Sequence, residues 1–214
     1  MSREAILGRV RTALGRKAGQ LPGAIPDAYL RPPAIDDLTG IFCVVLEKLG
    51  ARAYRVSSMA DAREQVSVLV TKKTSIASNS AVLTECGVTG LPGVRSGVTD
   101  KQELRDLCAS AEVGITSADF ALADTGTLVM LSSGEEARMI SLLPPVHVAV
   151  VPASRILSSL DQLLTTLPLP AERTSSMVLI TGTSRTGDIE QILVRGVHGP
   201  GEVHVVVVES AQKW

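Results

Sequence analysis

Aromatic side chains are almost missing from this chain of 214 residues, because Phe, Tyr and Trp together make up 2% of it. Proteins that bind single-stranded nucleic acid stack the bases on such rings. The chain also lacks an excess of either charge, since 21 basic and 22 acidic residues leave a net charge of −1. No general field therefore attracts a polyanion, and we expect no nucleic-acid partner.

Cysteine is sparse as well, with three residues that lie far apart and form no C-x-x-C pair: Cys43, Cys86 and Cys108. An odd number of scattered thiols indicates reduced cysteines in a cytosolic setting. The spacing also argues against an iron–sulfur cluster or a structural zinc held by this chain alone. We expect the chain to bind no metal.

Signatures of nucleotide cofactors are missing too. No G-x-G-x-x-G follows a strand, and the stretch from Gly182 to Gly187 lacks the lysine of a phosphate-binding loop. The sequence therefore gives no support to NAD or ATP binding, and we expect no cofactor on this chain.

No apolar run approaches the roughly 18 residues that span a membrane, and the N-terminus has no apolar core of a signal peptide. We therefore expect a cytoplasmic protein without a membrane span. Residues 2–16 instead predict an amphipathic helix that Ser2 caps and Gly15 ends. A structural or subunit-docking helix is one interpretation, and an Arg-rich transit peptide is the alternative.

Residues 17–35 are rich in proline and read as a linker. We accordingly divide the chain into an N-terminal helix with its linker, residues 1–35, and an α/β domain, residues 36–214. In that domain helices alternate with short Val/Ile/Leu strands, which is typical of a layered α/β sheet. The strands around 113–131 leave no room for a helix between them, so we predict a mixed, mostly parallel sheet. Two helices are predicted at about 36–49 and at 155–167.

The richest polar segment, residues 184–190, lies between the last two apolar runs. A guanidinium in a glycine-flanked turn after a buried strand is typical of carboxylate or phosphate recognition. We place the segment at the carboxyl ends of strands, where open α/β sheets bind their ligands. The predicted ligand-binding residues are Ser184, Arg185, Thr186, Gly187 and Asp188. The alternatives are that Arg185 pairs with Asp188 or Glu190, and that Asp188 caps a following helix.

Four further features are candidates for a site. Asp124, Thr125 and Gly126 form either the polar floor of a ligand site or a plain turn between two strands. His198 lies between glycines before Pro200, where the bent backbone can aim the ring into a cleft, and we predict a catalytic role for it.

Two glutamates, Glu135 and Glu136, open a predicted short helix, where the helix dipole favours carboxylates. Capping explains one of them, and Glu136 is the second candidate catalytic residue. His147 interrupts a buried strand and is either a core histidine or a general base.

Four motifs occur in order at loop-sized spacings: residues 123–129, 143–151, 183–190 and 196–200. Together they resemble the LUD-domain family, and within it the lactate utilization protein C (LutC/YkgG) group, over about residues 36–209. The resemblance implies a three-layer α/β/α sandwich like that of the NagB/RpiA/CoA-transferase group. It also implies a cytosolic complex that oxidises L-lactate to pyruvate, with iron–sulfur clusters on partner subunits. CoA-transferase relatives use a glutamate nucleophile, but no motif aligns Glu135 or Glu136 with it.

These observations leave three hypotheses for the function. The chain is a subunit of an L-lactate-oxidising complex whose own cleft binds a small anionic ligand. Alternatively, it is a stand-alone transferase or isomerase that acts on an acyl-CoA or a phosphosugar, by analogy of fold alone. The third hypothesis is an assembly protein with an inert cleft. A homo-oligomer is compatible with all three.

Overall fold

A computed structural model describes residues 2–15, 37–186 and 194–209. Its main feature is a six-stranded sheet in which every neighbouring pair of strands is parallel. In spatial order the strands are β1 (Arg52–Val56), β12 (Glu202–Val208), β7 (Val146–Pro152), β4 (Val113–Ser117), β2 (Ser75–Ala77) and β3 (Val94–Arg95). The central strands are buried on both faces, which explains their near-continuous valine runs.

Helices cover one face of this parallel sheet. Val66 of α3 and Leu83 of α4 pack there against Val148, Val150 and Val206. The two helices are α3 (Met59–Val70) and α4 (Ala81–Glu85).

The opposite face is covered by three helices and a second sheet. Phe42 and Leu46 of α2 pack there against Ala149 and Val205. The helices are α2 (Leu38–Lys48), α5 (Lys101–Ser110) and α6 (Arg138–Leu142). The predicted three-layer arrangement is therefore confirmed, with a small sheet sharing one outer layer.

The second sheet contains the antiparallel pairing that the sequence predicted around residues 113–131. Its strands, in spatial order, are β8 (Ile156–Leu157), β5 (Phe120–Leu122), β6 (Thr127–Leu131) and β9 (Met177–Ile180). The pairs β5–β6 and β6–β9 are antiparallel, whereas β5–β8 is parallel. Among the described residues, this small sheet is therefore the one that mixes parallel and antiparallel pairs. A separate two-stranded antiparallel ribbon consists of β10 (Arg185–Thr186) and β11 (Val194–Arg195).

Two helix boundaries differ from the sequence predictions. The helix predicted at 155–167 is shorter, because β8 occupies its first turn and α7 (Leu160–Thr166) begins after the capping residue Ser159. The helix predicted to open at Glu135 begins only at Arg138. In contrast, α1 (Arg3–Leu14) has the predicted ends, with Ser2 capping its start and Gly15 in the left-handed conformation at its end.

No residue of α1 is buried, so its apolar stripe has no partner among the described residues. None of the helices within the described ranges is long and apolar enough to cross a membrane.

The connections after β2 and β4 leave the parallel sheet on opposite faces. The chain after β2 enters α4 on one face, whereas the chain after β4 enters the small sheet on the other. Since β2 and β4 are neighbours, their carboxyl ends frame a crevice at a topological switch point. This is where open α/β sheets bind ligands.

Candidate functional site

Glu136 lies in that crevice, buried against the end of β4. Its Oε1 atom accepts two hydrogen bonds from Ser117, one from the backbone N–H at 2.9 Å and one from the hydroxyl at 2.6 Å. Only 9% of the residue is exposed. The candidate catalytic glutamate of the sequence is therefore fixed at the switch point.

Two buried oxygens at this position have no hydrogen-bond partner among the described residues. They are Oε2 of Glu136 and Oγ of Ser78, the residue that follows β2. The Ser78 hydroxyl lies near the carboxyl group but outside hydrogen-bond geometry. Unpaired buried polar atoms are rare in folded proteins, and functional sites are one place where they occur.

Burial raises the pKa of the Glu136 carboxyl group, because desolvation disfavours its charged form. The hydrogen bonds from Ser117 offset part of this shift, and the nearby charge of Asp119 adds to it. A carboxyl group with a raised pKa in a crevice is suited to exchange protons, which makes Glu136 a candidate for acid–base chemistry.

The segment before α6 positions Glu136 through a serine turn. The Ser133 hydroxyl accepts hydrogen bonds from the N–H groups of Glu135 and Glu136. The two glutamates therefore precede the helix and do not form its first turn, and neither caps it. This corrects the prediction that they open the helix: Glu135 stays exposed, and the Glu136 side chain turns toward β4.

A cleft of about 420 Å³ opens at the same edge of the sheet. It is lined by two cationic residues, a carboxylate, a serine and three apolar side chains: Arg155, Arg173, Asp119, Ser154, Phe120, Leu131 and Leu167. Neither arginine forms an ion pair with any residue of the described ranges. The cleft therefore presents two cationic groups that a ligand anion can reach.

Asp119 lines this cleft and is positioned by two hydrogen bonds. Its N–H donates to the carbonyl of Val129 at 3.0 Å, and its Oδ2 accepts from the N–H of Leu131 at 2.7 Å. Burial raises the pKa of the Asp119 carboxyl group, while the Leu131 hydrogen bond and the charge of Arg155 oppose that shift. Arg155 in turn donates to the carbonyl of Ala118 at 3.1 Å.

Asp119, Arg155 and Arg173 are not among the site residues that the sequence predicts. Each lies in a connection between elements, and they are 36 and 18 residues apart along the chain. One sequence feature could have indicated two of them: Asp119 and Arg155 each come shortly after an apolar run that predicts a buried strand. The carboxyl ends of such strands form the edge at which open α/β sheets bind ligands.

Two of the predicted site segments, the turn of residues 124–126 and the described part of the Arg185 segment, lie near the C-terminal end of α2. Asp124 and Thr125 are exposed in the turn between β5 and β6. Gly126, in the same turn, has φ +60°, and a Cβ there would stand 2.7 Å from the backbone nitrogen of Leu46. The turn therefore serves packing against α2, and a ligand-binding role for these three residues stays a prediction.

Arg185 lies on β10, next to the end of α2. Its guanidinium donates a hydrogen bond to the carbonyl of Leu49, which satisfies a carbonyl at the end of that helix. Across the ribbon it faces Arg195, so a pair of like charges stands there. Ser184 is tied by backbone bonds to Pro200 and Gly196.

Thr186, the second residue of β10, faces Val194 in the ribbon. The predicted ligand residues Gly187 and Asp188 lie outside the described residues. Anion binding by this segment stays a prediction, but its position differs from the expected carboxyl edge.

His198 is exposed in the turn that follows β11. This turn precedes β12, and Gly201 donates to the carbonyl of Pro145 just before β7, so it lies at the amino edge of the parallel sheet. At the carboxyl edge, Ser117 pairs with Val150, and Val150 pairs with Val206 of β12. Along β12, Val206 comes five residues after Gly201. At about 3.3 Å per residue the two edges are roughly 16 Å apart.

The structure therefore does not bring the two candidate catalytic residues, His198 and Glu136, into one site.

His147 is fully buried, and its Nε2 lies 2.8 Å from the Thr116 hydroxyl. Burial lowers its pKa to about 4, so the ring is neutral at physiological pH. The core interpretation accounts for the burial and for the Thr116 contact, whereas the buried Nδ1 atom has no hydrogen-bond partner among the described residues.

Comparison with known proteins supplies the family. The crystal structure of a DUF162 family protein from Deinococcus radiodurans has the same fold, with a TM-score of 0.63 at 17% identity. The match covers 83% of this chain and 99% of that one. "Lactate utilization protein C" of Halalkalibacterium halodurans is 40% identical over 116 residues, which are 52% of this chain and 50% of that protein. "Lactate utilization protein C 1" of Bacillus mycoides is 34% identical over 149 residues, 64% of each chain.

The chain thus spans between half and two-thirds of the length of these two relatives. The family model of the LUD domain matches residues 42–208, which include all the strands of the parallel sheet and both residues of the buried pair Ser117 and Glu136. The chain belongs to the LUD-domain family.

Proposed function

We propose that this chain is a component of an L-lactate utilisation system and that its carboxyl-edge cleft binds the carboxylate of a small organic acid. The names of the relatives support the role in lactate utilisation. The observation that carries the binding site is the pair Arg155 and Arg173, which line one cleft without an ion pair among the described residues. Guanidinium groups bind carboxylates through two parallel hydrogen bonds.

In this proposal the electron-transfer groups belong to iron–sulfur partner subunits in the cytoplasm. The chain contributes a binding cleft and, beside it, the buried carboxyl group of Glu136. Asp119 also lines the cleft, and its carboxylate offsets one of the two arginine charges. Both arginines are therefore needed to give the cleft the net positive charge that favours a monoanion.

A titration of the purified chain with L-lactate tests the binding site. Arg173→Ala should weaken lactate binding by about 1.5 to 3 kcal/mol, the usual size of a hydrogen bond to a charged group. Arg105→Ala is the matched control, because Arg105 is an exposed arginine on α5 and does not line the cleft. Equal affinities of the two variants would contradict the site.

Anaerobic affinity purification from native lysate tests the assembly. Co-purification of iron–sulfur proteins, with electron transfer that depends on L-lactate, would support the proposed component role. Loss of that activity when the chain is removed, and its recovery when the chain is added back, is the expected result.

The second candidate function is a stand-alone transferase or isomerase. The position of Glu136 favours it, since its carboxyl group lies at the switch-point crevice and its Oε2 atom has no hydrogen-bond partner within residues 2–15, 37–186 and 194–209. This candidate requires turnover of an acyl-CoA or a phosphosugar by the isolated chain, and it predicts that Glu136→Gln abolishes that turnover.

A further inference from the structure

The carboxyl-edge cleft is larger than a three-carbon acid requires. Its volume of about 420 Å³ lies within the range of roughly 300 to 1,000 Å³ of pockets that hold drug-sized ligands. At about 30 Å³ per molecule in the liquid, it would hold roughly fourteen waters. A lactate ion that pairs with the two arginines would leave most of this space to solvent.

One wall of the cleft is apolar. Phe120 and Leu131 lie on the neighbouring strands β5 and β6, and both are partly buried against the cluster of Leu122, Val129 and Leu163. Their remaining exposed surface borders the cleft, and Leu167, buried just after α7, completes the wall. Exposed apolar surface of this kind in a concave site is typical of contact with the apolar part of a ligand.

The cationic residues and the apolar residues enter from different elements. Arg155 belongs to the turn after β7, and Arg173 to the turn after α7, whereas Phe120 and Leu131 come from the small sheet. A ligand that contacts both groups of residues needs an anionic group to pair with the arginines and a hydrocarbon body to pack against Phe120 and Leu131.

We propose that the cleft binds an organic acid whose apolar body extends several carbons beyond its carboxylate, and not lactate alone. This inference rests on the proposed function, because it takes the same arginines as the carboxylate site. It adds a subsite, formed by Phe120, Leu131 and Leu167, that selects for chain length.

A homologous series of 2-hydroxy acids, from lactate to 2-hydroxyoctanoate, tests the inference on the wild-type chain. Each added methylene that enters the apolar subsite should tighten binding about fourfold, the equivalent of about 0.8 kcal/mol. We expect the increase to continue over at least the first methylenes added to lactate, as measured by calorimetric titration.

A flat or falling affinity along the series would overturn the inference. If lactate still binds in that case, and Arg173→Ala weakens it, the proposed carboxylate site stands without the apolar subsite. If the longer acids bind equally well to wild type and Arg173→Ala, the carboxylate site itself fails.

A variant pair locates the subsite. Leu131→Ala should reduce the affinity for 2-hydroxyoctanoate at least about fourfold more than the affinity for lactate. Leu143→Ala is the control, because Leu143 is 49% exposed and does not line the cleft. If Leu131→Ala weakens the binding of both acids equally, Leu131 acts through the fold, and its assignment to the apolar subsite is wrong. The chain-length series on the wild-type chain tests the subsite independently of that variant.

Discussion

The two edges of the parallel sheet use their polar residues differently. At the amino edge, Arg185 donates to a backbone carbonyl of α2, and Ser184 is held by two backbone bonds. The neighbouring Thr183 hydroxyl is buried there without a hydrogen-bond partner among the described residues, but no cationic cleft accompanies it in the part of the chain that the structure describes. At the carboxyl edge, Glu136 and Ser78 each keep a buried oxygen that no described residue pairs with. Two arginines beside them face an open cleft.

The difference shows that a polar stretch of sequence is not in itself a site. Loops at the amino edge must return the chain to the start of a strand, and Arg185 and Ser184 satisfy backbone groups on the way. The carboxyl edge contains the switch point, where chains diverge and leave a crevice. Four experiments test this comparison, and they follow in order of decreasing expected effect.

Gly126→Ala should destabilise the protein by about 3 kcal/mol or more. A Cβ at φ +60° would stand 2.7 Å from the Leu46 nitrogen, which is part of a helix backbone and cannot move alone. Urea denaturation measures the free energy of unfolding. The matched control at the carboxyl edge is Gly134→Ala, where no atom lies within 4 Å of the new Cβ, and there the change should be within about 0.5 kcal/mol.

Arg185→Ala should lower the free energy of unfolding by about 0.5 to 1 kcal/mol, because the Leu49 carbonyl loses its donor. Relief of the like-charge pair with Arg195 offsets part of that loss. Lactate affinity should not change. The opposite pattern is expected for Arg173→Ala, which should weaken lactate binding and leave the unfolding curve unchanged.

Weaker anion binding in Arg185→Ala would reverse the assignment of the two edges. The segment 184–188 would then be the ligand site that the sequence predicted.

Glu136→Gln should remove part of the pH dependence of stability. The pKa of Glu136 is raised in the folded protein above its ordinary value of 4.5, so the wild type loses stability as the pH rises through that folded pKa. Glutamine keeps the oxygen that Ser117 requires and carries no charge. The variant should therefore gain stability relative to wild type from pH 4.5 upward.

Glu135→Gln is the control for that experiment, because the Glu135 side chain is exposed. Parallel pH profiles of wild type and Glu136→Gln, measured by urea denaturation, would mean that Glu136 is not desolvated in solution.

Much of the fold follows from local sequence. The caps at Ser2, Asp37 and Asp100 set the helix starts, and the alternation of helices with valine-rich runs predicts a layered sheet. The small sheet could not be predicted as a separate unit. Its strand β5 has three residues, and β8 has two, so their pairing depends on partners far along the chain.

The candidate site was predictable in part. The sequence could indicate Glu136 as one of two adjacent glutamates. It could not predict that the Ser133 turn directs the Glu136 side chain to Ser117 at the end of β4. Asp119, Arg155 and Arg173 could not be grouped from spacing, because their turns are distant in sequence and come together only in the folded chain. The crossover from β4 to β7 separates the first two, and β8 with α7 separates the last two.

The smallest expected effect is that of His198→Ala. The ring is exposed in a turn, so the free energy of unfolding should change by no more than about 0.5 kcal/mol. Lactate binding at the carboxyl edge, roughly 16 Å away, should be unaffected. The informative measurement is the lactate-dependent activity of the assembled complex, because the sequence predicts a catalytic role for His198. A loss of that activity without a loss of stability would mean that the amino edge also serves the reaction. Since the ring cannot reach Glu136 within this chain, that result would assign to His198 a site that a partner subunit completes.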